Sequence, residues 1–233
     1  RTRSSSQRCI KVGTVDVMES DVHRVLGLTM NNCLTWKNHT DELLRSMNQR
    51  IGALKRISFH IPSRYLSQVA QAIVCSKVRY GIGIYGAVRT NETDPTMEAS
   101  KDLQVVLNQA MRIVTKTRIK DRVRIEHLLE LTGFQSFNRM SATDKLMLVW
   151  QAVNEDDSPL ADTVERISGS SGAVSRATAR GDLRTASKTS LGQANFPEPG
   201  VRLWNKTTGE IRDEKVKRKA RQKVKTFVNY LPL

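Results

Sequence analysis

Apolar residues recur at intervals of three and four across most of residues 35–154, a spacing that a helix alone gathers onto one face. Leu43, Leu44, Met47, Ile51 and Leu54 follow it, behind candidate caps Thr35 and Asn38 and first-turn acids Asp41 and Glu42. A second helix opens at Pro62-Ser63 and carries Tyr65, Leu66, Val69, Ala70, Ile73, Val74 and Val78. It is apolar round so much of its circumference that burial on most sides is expected. Asp94-Pro95 starts a third, with Leu103, Val106, Leu107, Ala110, Ile113 and Val114. Asp121 to Leu131 reads as a shorter helix closed by Gly133, and Ser136 caps another whose inner face is Met140, Met147, Trp150 and Val153.

The ends of the chain obey other rules. Ile10-Lys11-Val12, Val15-Asp16-Val17 and Val22 to Leu28 are β-branched runs separated by Gly13 and Glu19-Ser20-Asp21, the pattern of a short hairpin. Residues 168–193 are Ser, Gly, Thr and Ala with almost no large apolar side chain, so they are expected to be a flexible linker. Phe196 to Leu231 ends in a basic amphipathic helix. The expected fold class is mainly α: a β-hairpin over 1–34, a helical bundle over 35–133, a helical extension over 134–167, the basic linker over 168–193 and a basic C-terminal segment over 194–233.

At 233 residues the chain is long enough to bury a core without disulfides or metal. Its net charge of +15, with a pI near 10.1, favours a polyanionic partner, and nucleic acid is the first candidate. No stretch approaches a membrane-spanning run and no signal peptide opens the chain, so no membrane partner and a nuclear or cytoplasmic, unsecreted protein are expected. A chain that starts at Arg1 and enters a strand pattern within ten residues reads as a piece of something longer. Cys9, Cys33 and Cys75 form no C-x-x-C pair and read as free thiols. His23, His39, His60 and His127 are too far apart to ligate one ion from one helix face, and no cofactor is expected in this chain.

Three motifs invite chemistry and fail on context. Gly81-Ile82-Gly83-Ile84-Tyr85-Gly86 has the G-x-G-x-x-G spacing of a pyrophosphate turn, but it follows a helical pattern where a strand is required, so it reads as a glycine-rich helix exit. Asp156-Asp157 resembles paired metal-binding aspartates, yet Ser158-Pro159 follows and places it in a turn. Gly169-Ser170-Ser171-Gly172 is not a nucleophile elbow. No catalytic residue is assigned.

Positive charge is organised instead. Arg45, Gln49, Gly52 and Arg56 fall on one narrow helical stripe opposite Met47, Ile51 and Leu54, with Gly52 open to close approach. Arg112, Lys116, Arg118, Lys120, Arg122 and Arg124 are relieved only by Asp121. Arg176, Arg180, Arg184 and Lys188 repeat every fourth residue, which in an extended chain points them to one side. Lys215, Lys217, Arg218, Lys219, Arg221, Lys223 and Lys225 surround an apolar line of Val216, Ala220, Val224 and Phe227, so that helix is expected to dock. These four groups are the candidate nucleic-acid contacts. Aromatics are scarce, at 5%, and Trp36, Trp150 and Trp204 read as core, so contacts to phosphate rather than base stacking would supply affinity.

Val25-Leu26-Gly27-Leu28-Thr29, followed by Leu34-Thr35-Trp36-Lys37-Asn38-His39, resembles the "LGV-x-L…L-x-W-x-x-H" signature after the palm of non-LTR (LINE-type) retrotransposon reverse transcriptases. Arg50 to Arg56 and Val78-Arg79-Tyr80-Gly81 look like the next helices of that family, with Arg79 departing from its "P-x-L-x-Y-G" stretch. Leu103-Gln104 with Met111-Arg112-Ile113 is similar to its "LQ…R-x-I" helix, and Phe196, Val201 to Asn205 and Ile211-Arg212 to its closing "F…LWN…IR" element. The series runs in order over roughly residues 10–230.

The resemblance implies the end of a polymerase palm over 1–34, a thumb over 35–133 and the mobile element's downstream region. It also implies RNA, RNA/DNA hybrid or DNA as template-primer, and the upstream palm and fingers of the same polymerase as partners. The parent RNA-directed DNA polymerase would need Mg2+, but the family's Tyr/Phe-x-Asp-Asp hairpin has no counterpart here, so this fragment is expected to be inactive alone. The alternative is a stand-alone basic helical interaction protein derived from a mobile element, an RNA chaperone or a protein-partner module.

Overall fold

The computed structural model describes residues 9–32, 35–86, 96–155, 157–166, 181–184 and 197–231, which form a mainly helical protein preceded by two antiparallel hairpins. β1 (Cys9–Val12) pairs with β2 (Val15–Met18), and β3 (Val22–Val25) with β4 (Leu28–Asn31). Where the sequence predicts one hairpin there are two, because Val22 to Leu28 folds back on itself at Leu26-Gly27. Their φ values of 48° and 82° are the two positive angles that a tight two-residue turn needs to match strand twist. In the first hairpin Ile10 lies opposite Val17 and Val12 opposite Val15, a β-branched face that remains exposed.

α1 (Lys37–Ile57) starts two residues after Thr35, and neither Thr35 nor Asn38 caps it. Thr35 instead receives Asn31 Nδ2 on its hydroxyl at 2.6 Å and donates its N–H to Asn31 Oδ1 at 2.8 Å, tying the helix approach to β4. α2 (Ser63–Ala70) runs through a π turn, Gln71–Cys75, into α3 (Ser76–Arg79). Leu66, Ala70, Val74 and Val78 are all fully buried at every fourth position, and the wider π turn holds them in line where a pure α-helix would let them drift. The other faces stay partly open, with Tyr65 exposed, so this rod buries one side only.

The helix buried nearly all round is α7 (Phe137–Asn154), whose Ser136 cap accepts Arg139 N–H at 3.4 Å. Its inner residues are not confined to one face: Ser141, Ala142, Thr143, Lys145, Leu146 and Val149 are all fully buried. The cause is packing from two sides. One cluster gathers α1, α2, α3, α4 (Ile82–Tyr85), α5 (Thr96–Thr115) and α6 (Ile125–Thr132) on Phe137 and Met140. The other gathers α8 (Glu198–Trp204), α9 (Gly209–Arg212) and α10 (Lys217–Tyr230) on Leu146, Val149 and Trp150. α7 is the spine they share. Asp94-Pro95, the expected start of α5, lies outside the described residues.

Four residues of the expected linker, 181–184, are described, and Asp182 to Arg184 are anchored. Leu183 and Asp182 are buried, and Leu183–Arg184 pairs with Glu165–Arg166 as a two-residue ladder. Asn205 clamps the Leu183 backbone twice, accepting its N–H and donating to its carbonyl, each at 2.9 Å. One large apolar side chain with a side-chain clamp fixes a segment that composition alone marks as free. The rest of 168–193 lies outside the described residues.

Candidate nucleic-acid interface

On α1 the expected division of faces is present. Leu43, Met47 and Leu54 are buried, while Arg45, Gln49 and Arg56 are exposed. Gly52 sits on that outer side, and a Cβ there would meet nothing within 4 Å. Internal packing therefore does not require the glycine, which in a helix interior costs about 1 kcal/mol relative to alanine. Among the described residues no carboxylate pairs with Arg45 or Arg56. Arg50, on a different face, donates to Ile73 O at 3.0 Å and fastens α1 to the π turn.

The second group divides into one clamp and five outward cations. Arg112 donates to Arg118 O at 3.2 Å and to Val123 O at 3.3 Å, so its guanidinium serves the loop rather than solvent. Lys116, Arg118, Lys120, Arg122 and Arg124 are exposed. The expected helix from Asp121 begins instead at Ile125, because Ile119–Asp121 forms a 3-10 turn and Arg122 takes φ 49°, which a helix cannot continue.

The C-terminal group is a docked helix with much of its charge paired. Ala220, Val224 and Val228 are fully buried against the second cluster, with Phe227 beside them, whereas Val216 stays exposed. Lys217 pairs with Glu155 at 3.0 Å, Arg221 approaches Asp144 at 3.4 Å, and Lys215 donates to Asn154 Oδ1 at 2.8 Å. Lys223 pairs with Glu214 at 2.7 Å, and that hydrogen bond holds the Glu214 carboxyl below its ordinary range. Arg218, Lys219 and Lys225 remain the outward cations of this helix. Of the fourth group only Arg184 is described, exposed on the Leu183–Arg184 strand; Arg176, Arg180 and Lys188 lie outside the described residues.

Sequence reasoning missed the residues that hold these surfaces together. Arg79 meets Asp144 at 3.3 Å, and Asp144 also faces Arg221, so one carboxylate links α3, α7 and α10. Lys145 is fully buried and donates to Gly83 O at 2.9 Å; burial pushes its pKa down to about 8. A charged pair inside a helix otherwise flanked by Met140, Leu146 and Met147 was the available signal. The glycine-rich segment does mark a helix exit: Gly81 has φ 72°, and a Cβ at Gly86 would stand 2.6 Å from Ser141 Oγ. Gly86 therefore allows close approach to α7.

A junction forms where β4 meets the bundle. Thr29 N–H donates to His39 Nδ1 at 3.4 Å, and Thr29 Oγ1 to Glu42 Oε2 at 2.8 Å. His39 lies edge-on to Tyr85, with ring centroids 4.8 Å apart, and desolvation lowers its pKa. Tyr85 Oη in turn donates to Val78 O.

Chemically, the exposed groups are point charges and forks that suit phosphate oxygens. Among the described residues no three His, Cys, Asp or Glu side chains are grouped to hold a metal ion, and no helix is long and apolar enough to cross a membrane. Compared with protein-family models, curated proteins and solved structures, the chain matches none.

Proposed function

We propose that this chain is the non-catalytic, template-primer-binding tail of an RNA-directed DNA polymerase of the non-LTR retrotransposon kind, holding nucleic acid through basic helices and loops. The observation that carries the reading is the outer face of α1, where Arg45, Gln49 and Arg56 stand exposed around a glycine that packing does not need. Such a face admits a phosphate backbone closely and offers it two guanidinium groups that pair with no carboxylate among the described residues.

A second observation supports the family resemblance. Leu26, Gly27, Thr29, Trp36, His39, Tyr80 and Gly81, scattered over its separate motifs, belong to the β4–bundle junction or touch residues that do. The exposed Ile10, Val12, Val15 and Val17 face fits the polymerase reading, in which the upstream palm would cover it, and equally the alternative of a protein-partner module.

Anisotropy titration of the chain with a labelled RNA/DNA hybrid tests the reading. Binding should weaken with salt at a log-log slope of about −0.7 to −0.9 per phosphate contact and tolerate sequence changes. A flat salt response, or strong preference for one sequence, would refute it. Primer extension on an RNA template with Mg2+ or Mn2+ should give no product above blank.

A further inference from the structure

The segment from Lys116 to Arg124 carries five cations against one carboxylate, and the structure shows why that segment has a fixed shape. α5 closes with Thr117 N–H donating to Arg112 O at 3.1 Å and Lys116 N–H to Ile113 O at 3.3 Å. This paired pattern places Lys116, at φ 56°, in the left-handed position where helices usually end on glycine. Gly133 fills the equivalent place after α6, at φ 68°. Arg122 repeats the anomaly at φ 49°, its N–H bonded to Ile119 O at 3.2 Å. Asp121, the loop's only acid, accepts Arg118 N–H at 2.5 Å and so braces the turn. Arg112 closes it from below through Arg118 O and Val123 O. At the apex Ile119 is 79% exposed between Arg118 and Lys120.

Twice, then, a cation occupies a backbone position that favours glycine, in a loop made rigid by internal bonds. Among the described residues no carboxylate neutralises these cations through an ion pair. Non-glycine residues held in the left-handed region cluster at active sites, ligand clamps and switch regions.

We propose that Lys116–Arg124 is a preformed grip on the phosphate backbone of a nucleic-acid duplex. Lys116, Arg118, Lys120, Arg122 and Arg124 take phosphates, Ile119 lies against the sugar edge between them, and Arg112 is a positioning residue without contact of its own. This rests on the nucleic-acid reading above and deepens it by naming where the duplex is held. Preformed geometry removes the ordering cost that flexible lysines and arginines would otherwise meet on binding.

The test compares the full chain with K116G/R122G, whose glycines relieve both strained positions, and with K11A/K101A, which removes the same charge elsewhere. Thermal melting and anisotropy against a short fluorescein-labelled RNA/DNA hybrid are read over a range of NaCl. K116G/R122G should melt at or above the parent, lose affinity tenfold or more at low salt, and lower the log-log salt slope by about two contacts. K11A/K101A should bind nearly as the parent does. Ile119→Ser should weaken binding several-fold at unchanged slope, because an apolar contact releases no counterion, and Arg112→Gln should weaken it without removing a phosphate contact.

If K116G/R122G binds like K11A/K101A while the parent still shows salt-dependent binding, the grip is refuted and the broader reading stands. If the parent does not bind the hybrid at all, the broader reading falls first. Early melting of K116G/R122G would make these residues structural and overturn the proposal. So would loss of binding to phosphatidylserine vesicles alone, with hybrid binding intact, which would mark a lipid contact.

Discussion

Tyr80 Oη donates to the carbonyl of Leu26 at 2.6 Å across 54 residues of sequence, and its ring lies over Gly27, where a Cβ would stand 3.4 Å from Cε1. The bond steadies a turn in which Leu26 adopts φ 48°, unusual for a branched side chain, and so couples the second hairpin to the end of α3. Tyr80→Phe keeps the ring and removes the donor. Because the bond is exposed, the expected loss lies at the low end for one hydrogen bond, about 0.5–1 kcal/mol, read as a lowered urea midpoint. A loss above about 2 kcal/mol would show that the hydroxyl does more than tether the turn.

His39 predicts acid sensitivity at the same junction. Its pKa is lowered chiefly by desolvation, with Lys77 and Arg24 acting in the same direction and Glu42 against it. As Nδ1 accepts from Thr29, the folded state requires a neutral ring. Stability from this group is therefore complete above the unfolded value of about 6.5 and is lost as pH falls through the lower folded value. His39→Asn should be less stable than the parent at pH 7.5, and the difference should narrow on acidification. Urea midpoints of both proteins at several pH values between neutral and mildly acidic decide it; a constant difference would mean that the ring does not titrate.

Lys145 makes the opposite edge of the pH range informative. Its folded pKa is about 8, against about 10.4 unfolded. Between those values the unfolded chain holds a proton that the folded chain has lost, so this group raises stability as pH climbs, by on the order of 3 kcal/mol in full. Burial pushes Cys75 up to about 12 and raises Tyr85, and both work against that rise. The difference between parent and Lys145→Met cancels them. Lys145→Met should be at least as stable as the parent at pH 7.5, since it removes a buried charge at similar volume, and should lose that advantage by pH 9.5. An advantage that persists at pH 9.5 would place the Lys145 pKa near its ordinary value.

The long helices of the first cluster were legible because each carries its own period, as Leu43, Met47 and Leu54 do on α1. Gly133 and Ser136 marked ends that local backbone chemistry decides. Elements fixed by distant partners were hidden. Nothing near Leu183 announces that Asn205 will clamp it, and nothing near Leu26 announces Tyr80. Arg112 shows the same limit at the candidate interface. Its charge was visible in sequence, but its two carbonyl acceptors arise from a loop whose path depends on positive φ at Lys116 and Arg122. Charge counts could find the basic segment and could not separate the clamp from the cations that it presents.

The α1 face offers a test that separates binding from folding. Arg45 and Arg56 are exposed and pair with no carboxylate among the described residues, so reversing both to Glu should change stability by no more than about 0.5 kcal/mol each. The same reversal places negative charge beside the phosphates and should weaken hybrid binding by more than simple neutralisation to Gln. Met47, fully buried on the opposite face, should behave inversely: Met47→Asp buries a carboxylate without a partner and should unfold the chain. Gly52→Ala completes the set. With open space above it, the added methyl should stabilise α1 by up to about 1 kcal/mol, while Gly52→Trp should fold and bind poorly if a phosphate backbone passes over that point. Melting curves and hybrid titrations on these variants give a two-by-two outcome. Charge-reversed protein that binds as well as the parent would make the stripe a solvated face, and charge-reversed protein that melts early would make Arg45 and Arg56 structural.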